Sequence, residues 1–346
     1  MNTNAKLGVI VGLLAILSVW TYSDSVSRGD RFARGQKLLS NLNPDEVALI
    51  SIIDGEDTVT LERQVEEFTI AETHGYPARN DAINRFFRDL LDIGLAKDVG
   101  SGSSLAEELE IDPSTDSTTE ITLSNAAGQE MVRLRLGKSF EDGAGRYVQR
   151  LDQESSSIYL TEGSVYLSTR VDSFLRKEIL DVSQSRVRRV QGIDFLITPE
   201  EEDSELVLTA IPDGQKEKAF ETNKLKSILS RLSFDTVLLA DDQAVRELLF
   251  QPTLTIDIDD ETGYTLSFAE EGDERYIRIQ AHHNIGRVEI TLEMPKEELK
   301  EKADQLTRAT EIEDFTEFHA SWVYEISSFT ADKLKLRKSD LIEDDK

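Results

Sequence analysis

The chain has 346 residues and a formal charge of −28, with 39% hydrophobic and 31% charged residues and no cysteine. A field this negative repels nucleic acid and anionic headgroups. The missing thiols exclude disulfides, thiolate metal sites, a cysteine nucleophile and a lipid-modified N-terminal cysteine, while the hydrophobic share is that of a folded chain long enough for two ordinary domains.

The first element in chain order is the run LGVIVGLLAILSVWTYS, residues 7–23, which has no charge inside it and Lys6 just ahead. Its length lies at the lower limit of about 17 residues for a membrane-spanning helix, and Trp20 and Tyr22 stand where an interfacial aromatic belt would be. A cleaved signal peptide has a shorter apolar core and small residues at the cut. Ser23 and Ser25 offer a weak cut behind two bulky aromatics, so the run reads as an uncleaved anchor. Arg28, Arg31, Arg34 and Lys37 lie just beyond the span, and the positive-inside rule alone would keep the C-terminal body in the cytoplasm. The export-signal shape, together with the translocation of long domains regardless of charge, places the body on the extracytoplasmic side instead. The expected location is the bacterial inner membrane, single-pass, with a periplasmic body.

Val47 to Ile53, an Asp-Gly turn and Thr58 to Arg63 read as a β-hairpin, continued by Phe68 to Ile70. Asn80 is a good N-cap residue for a helix whose Ile83, Phe86, Phe87, Leu90 and Leu91 form one apolar stripe. A polar loop, Gly100 to Ser104, precedes strands at Thr119 to Asn125 and Glu130 to Gly137, then RYVQRL and SIYL. A helix is expected around Val171 to Leu180. The order then recurs. Strands near Val187, at Phe195 to Ile197 and at Glu205 to Ile211 precede a stripe of Leu225, Ile228, Leu229 and Leu232. Leu254 to Phe268 and Arg275 to Ala281 echo the later strands. Phe86 and Ile228 are offset by 228 − 86 = 142, and Ile121 and Ile256 by 256 − 121 = 135, which indicates a duplication. A last helix starts with Pro295 at N1, with Glu297 and Glu298 in its first turn.

The expected fold is α+β: an N-terminal transmembrane helix followed by a duplicated, largely antiparallel sheet-plus-helix body. Its parts are an anchor at 1–23, a juxtamembrane linker at 24–44, repeats at 45–182 and 183–336, and an acidic tail at 337–346.

Several stretches resemble a bacterial family of unknown function, the one numbered 4340: the anchor, LNPDEVALISI, YPARNDAINRFFRDLLDIG, LRLGK with YVQR, IYL, and SWVYEI at Ser321 to Ile326. The resemblance covers residues 38–336. Two departures, Phe68 for a tryptophan and Glu110-Ile111-Asp112-Pro113 for a Gly-Leu before the proline, look like packing substitutions. The resemblance implies a membrane-anchored accessory protein, often encoded beside gliding-motility-type ABC transporter subunits. It offers no catalytic residues to carry over.

Chemical motifs are sparse. Gly137-Lys138-Ser139 lacks the earlier glycine of a phosphate loop, since position 132 is Val132, and it reads as a strand end. Asp257, Asp259, Asp260, Glu261 and Gly263 suggest a calcium loop, but its sixth and twelfth positions are Thr262 and Phe268. A hairpin turn with solvated carboxylates fits better. His282 and His283, adjacent on a strand, point to opposite faces and need a distant partner such as His319 or a glutamate to hold a metal. His74 lies in a polar turn, and Gly100-Ser101-Gly102 is no nucleophile elbow. The expectation is therefore a non-enzyme with no cofactor, no metal and no nucleotide, whose partners are the membrane and an ABC permease or related membrane subunit. The alternatives are a tethered binding module for an envelope glycan or peptide, and a hydrolase with a non-local site.

Overall fold

Alternating apolar residues build the first sheet. Ile50 and Ile52 pair across the hairpin with Leu61 and Val59, and all four are buried, while Ser51 and Thr60 take the opposite face. The computed structural model describes residues 36–345, apart from 66, 113–116, 153–156, 202–203, 287 and 289–293. The apolar run at 7–23 lies outside the described residues. Among those described, no helix is long and apolar enough to cross a membrane. The chain forms two compact units that meet in sequence at Arg176 and Lys177. Both are α+β and sheet-rich.

The first unit holds β1 (Gln36–Lys37), β2 (Val47–Asp54), β3 (Asp57–Gln64), β4 (Glu67–Ile70) and β5 (Tyr76–Pro77). Helix α1 (Asn80–Leu91) and β6 (Gly94–Gly100) come next, then the short α2 (Ser103–Glu108). The unit continues with β7 (Thr119–Asn125), β8 (Glu130–Ser139), β9 (Arg146–Arg150), β10 (Ile158–Thr161) and the single turn α3 (Val171–Phe174). Its ten strands form one sheet in the order β1-β6-β10-β9-β8-β7-β2-β3-β4-β5. Helix α1 buries Ala82, Ile83, Phe86, Phe87 and Leu90. The ring of Phe87 lies 6.3 Å from Phe68 and 5.8 Å from Phe86, which meets Phe174 at 6.0 Å.

The second unit holds β11 (Glu178–Leu180), β12 (Val187–Gly192), β13 (Leu196–Pro199), β14 (Leu206–Leu208) and β15 (Gln215–Glu217). Next come α4 (Ala219–Lys226), β16 (Leu232–Ser233), β17 (Thr236–Leu239), β18 (Gln251–Ile258), β19 (Thr262–Glu271) and β20 (Glu274–His283). The long α5 (Lys296–Ala320), β21 (Trp322–Glu325), α6 (Ser328–Leu334) and β22 (Ile342–Asp344) complete it. Its main sheet runs β14-β13-β12-β18-β19-β20-β21-β17, and β15 pairs with β22 apart from it. Helix α5 lies on the apolar face of β20. Thr316 both accepts from Ala281 N at 3.1 Å and donates to Ala281 O at 3.0 Å, and Phe315 meets Tyr264 edge-on at 5.5 Å.

The two sheets share one topology. In each, a three-strand meander (β4-β3-β2 or β14-β13-β12) is extended on its first strand by the next hairpins (β7-β8-β9-β10 or β18-β19-β20-β21). A strand that comes after the first helix, β6 or β17, borders the last of these strands, and in the first sheet β1 lies beyond β6. A side-chain-capped 3-10 turn precedes each meander, with Asn43 and Ser183 as caps (183 − 43 = 140). Val47 and Val187 open the strands at the same spacing. The two units thus share an order of eight strands.

Several boundaries differ from the sequence reading. Asn80 is the first helical residue, with Arg79 at the N-cap, and Pro295 sits at the N-cap of α5 instead of N1. The helix expected at Val171 to Leu180 is one turn, because Leu175 is extended and bridges Ala78. The stripe at Leu225 to Leu232 leaves the helix after Lys226 and Arg231 takes a left-handed φ of 54°, yet all four stripe residues stay buried. Part of the expected linker is folded, since β1 pairs with β6 and Leu38 and Leu39 are buried. The expected acidic tail is folded as well, with Leu341 fully buried and β22 paired to β15.

Candidate functional site

The clearest concentration of polar chemistry is on the second unit, on the face of its sheet opposite α5. Strand registers place Arg189, Asp257, Gly263 and His282 in one row across β12, β18, β19 and β20. His282 Nε2 lies 3.1 Å from Asp257 Oδ1, and Arg189 reaches the other oxygen of that carboxylate at 3.6 Å. Gly263 makes the pairing possible. A Cβ there would stand 2.6 Å from His282 Nε2 and 2.8 Å from Asp257 Oδ1, so only glycine leaves the imidazole room to cross the strand. The next row carries Gln191, Thr255, Thr265 and Gln280, with the two threonine hydroxyls 3.3 Å apart.

At the end of this row, Arg186 Nε donates to Asp259 at 2.8 Å and Arg188 approaches the same carboxylate at 4.0 Å. Asp257 and Asp259 stay partly exposed, and three arginines of Arg186-Val187-Arg188-Arg189 lie beside them as ion-pair partners. The arrangement is a chain of ion pairs on a half-exposed surface, each contributing about 0–1 kcal/mol.

Arg188 also lines an open, polar cavity of about 600 Å³, with Gln184, Ser185, Ser204, Leu206, Asn223 and Lys226 among its other walls. Along that wall, Lys226 Nζ donates to Leu206 O at 2.7 Å and Glu217 Oε2 accepts from Leu208 N at 2.9 Å. Thr222 donates to the second oxygen of Glu217.

The other residues singled out in the sequence are dispersed. His283 points away from His282, with its Nε2 3.8 Å from Glu313 of α5. His319 is buried, its Nδ1 2.5 Å from the Tyr324 hydroxyl and its ring 4.0 Å from Phe315, which makes it a core residue. His74 caps a 3-10 turn in a left-handed conformation. Among the described residues no three His, Asp or Glu side chains converge as a metal site. Gly137, Lys138 and Ser139 belong to β8, and Ser101 lies between β6 and α2. Sequence reasoning missed the arginines and the Glu217–Lys226 pair. A run of three arginines within four residues of so acidic a chain was the available signal for the former.

The family model of a domain of unknown function, DUF4340, matches residues 69–252, just over half of the chain. The chain belongs to the DUF4340 family. The matched span runs from β4 to the start of β18, across the junction of the two units. Comparisons with curated proteins and with solved structures found no match.

Proposed function

We propose that this DUF4340 protein is a membrane-anchored, envelope-facing accessory protein of an ABC-type transport or gliding-motility-like assembly, acting by contact and not by catalysis. The observation that carries this reading is the uncharged apolar run at residues 7–23 ahead of a doubled, sheet-rich body. The resemblance of the chain to proteins encoded beside ABC transporter subunits supplies the assembly; the ATPase and permease are other chains. Gln36 is the first described residue, and residues 24–35 lie in sequence between it and the apolar run. Fully extended, twelve residues span at most about 40 Å. A tether of that reach confines the body near a membrane partner and raises its effective concentration to about millimolar.

Three outcomes are expected. A reporter active only outside the cytoplasm, fused after Lys346, is active; activity of a cytoplasm-only reporter at that position overturns the orientation. A chain starting at Asp24 and exported by a cleaved signal folds but loses the phenotype. By contrast, His282→Ala, His283→Ala and Ser101→Ala in the full-length chain keep it. If one of these three changes abolishes function without unfolding the protein, the reading as a non-enzyme is wrong.

A further inference from the structure

We infer that the outer edge of β14 is a docking site for an extended segment of a partner protein, which adds to the second sheet as an antiparallel strand. The inference rests on the proposed contact function and names its surface.

The repeated topology gives the first reason. Strand β14 occupies in the second sheet the place that β4 has in the first. There β4 is bordered on its outer side by β5, with Thr69 opposite Pro77 and Ile70 opposite Tyr76. The next strand of the second unit, β15, pairs instead with β22, and the main sheet ends at β14. Among the described residues, no strand takes in the second unit the position that β5 fills in the first.

The second reason is what holds that edge. The carbonyl of residue i and the N–H of residue i+2 face the same side of a strand, and an added strand uses such pairs. In β14 these are Leu206 O and Leu208 N. Side chains take both: Lys226 donates to the carbonyl and Glu217 accepts from the amide. The two charged groups lie 3.8 Å apart, with only 11% and 18% of their side chains exposed. They imitate the donor and acceptor of a missing strand and satisfy backbone groups that would otherwise be orphaned. A peptide backbone supplies the same pair and sets the two side chains free.

The third reason is the space beside the edge. The cavity of about 600 Å³ is bounded by Leu206 and Lys226, and its size is within the range of ligand sites. Its cations are Arg188 and Lys226, against Glu205, and Arg188 is more than half exposed. Once Glu217 is displaced, Lys226 faces the incoming segment. The partner segment is therefore an extended stretch carrying an acidic side chain beside its pairing residues, the strand-addition mode of peptide recognition.

The test uses the full-length chain in mild detergent and a capped, fluorescent peptide of alternating valine and threonine with one central aspartate. Fluorescence anisotropy should show saturable binding. N-methylation of the peptide at alternate amides should weaken it about tenfold or more, because a methylated edge cannot pair. Glu217→Ala, which unplugs the edge, should tighten it severalfold, and Arg188→Glu should reverse the preference for aspartate over a lysine-bearing peptide. Equal binding of methylated and unmethylated peptides, or no binding up to about 1 mM by either the natural chain or Glu217→Ala, overturns the inference. If a transporter subunit copurifies with the chain while peptides fail, the edge assignment falls and the contact function stands.

Discussion

Phe87→Asp is expected to unfold the first unit. The side chain is 6% exposed and packs between Phe68 and Phe86 on the buried stripe of α1. Removing a buried phenylalanine costs about 3–5 kcal/mol, and forcing an unpaired carboxylate into the same place adds several more. The sum is comparable with a typical total stability of about 5–15 kcal/mol. Leu229→Asp, at a site 1% exposed, should do the same to the second unit although it lies outside a helix. Circular dichroism melts read both effects. Unchanged melting of either variant would show that its core is not built as described, whereas Phe87→Leu keeps the apolar contact and should retain the fold.

Gly137→Ala is expected to be a costly glycine-to-alanine change. Its φ is not left-handed, so conformational freedom is not the reason for glycine. The reason is close approach. A Cβ there would stand 2.2 Å from the backbone oxygen of Leu109 and 2.5 Å from Ile111 Cγ1. The neighbouring Lys138 N donates to the same Leu109 oxygen at 3.0 Å, and Arg146 Nε donates to the Gly137 carbonyl at 2.7 Å. Leu109 and Ile111 belong to a buried cluster with Ile158, so the backbone that would have to move is itself packed. Overpacking of this kind costs typically about 1–3 kcal/mol, and a fixed backbone puts it at the upper end or above. Gly163→Ala is the control, because nothing lies within 4 Å of its added carbon. Chemical denaturation should separate the two variants clearly; equal midpoints would contradict the crossing at Gly137.

The same glycine shows how far the sequence can be read. The strand-like residues before Gly137-Lys138-Ser139 argue against a phosphate loop, and the structure places all three in β8. What the glycine is for is not legible, since the Leu109 backbone that crosses it lies 28 residues earlier (137 − 109 = 28). Hairpins and the stripe of α1 are readable because their signals are local: an Asp-Gly turn, alternation, and a period of 3.6. The helix expected at Val171 to Leu180 fails because an amphipathic pattern does not reveal that Leu175 is claimed by a bridge to Ala78. At Leu225 to Leu232 the apolar spacing correctly marks burial, and tertiary packing overrides its geometry after Lys226.

The candidate site is legible in the sequence only in pieces. Gly263, Asp257 and His282 each stand out, as parts of a failed calcium loop and of a poor chelating pair. Their association comes from strand register, which pairs Asp257 with Gly263 and Gly263 with His282. The arginines that neutralise the acidic turn come from about 70 residues earlier, and the plug on β14 joins residues 9 and 20 positions apart. Such contacts depend on topology, and a single sequence carries no local mark of them.

Purification of the full-length chain from membranes in mild detergent, with identification of the proteins that elute with it, is the most direct measurement of whether it works by contact beside a transporter. The expected result is an ABC permease or a related membrane subunit in the eluate, lost when an exported chain starting at Asp24 is purified in the same way. Folded, full-length protein that repeatedly elutes without any transporter subunit, or an untethered chain that retains the same partners, would contradict it.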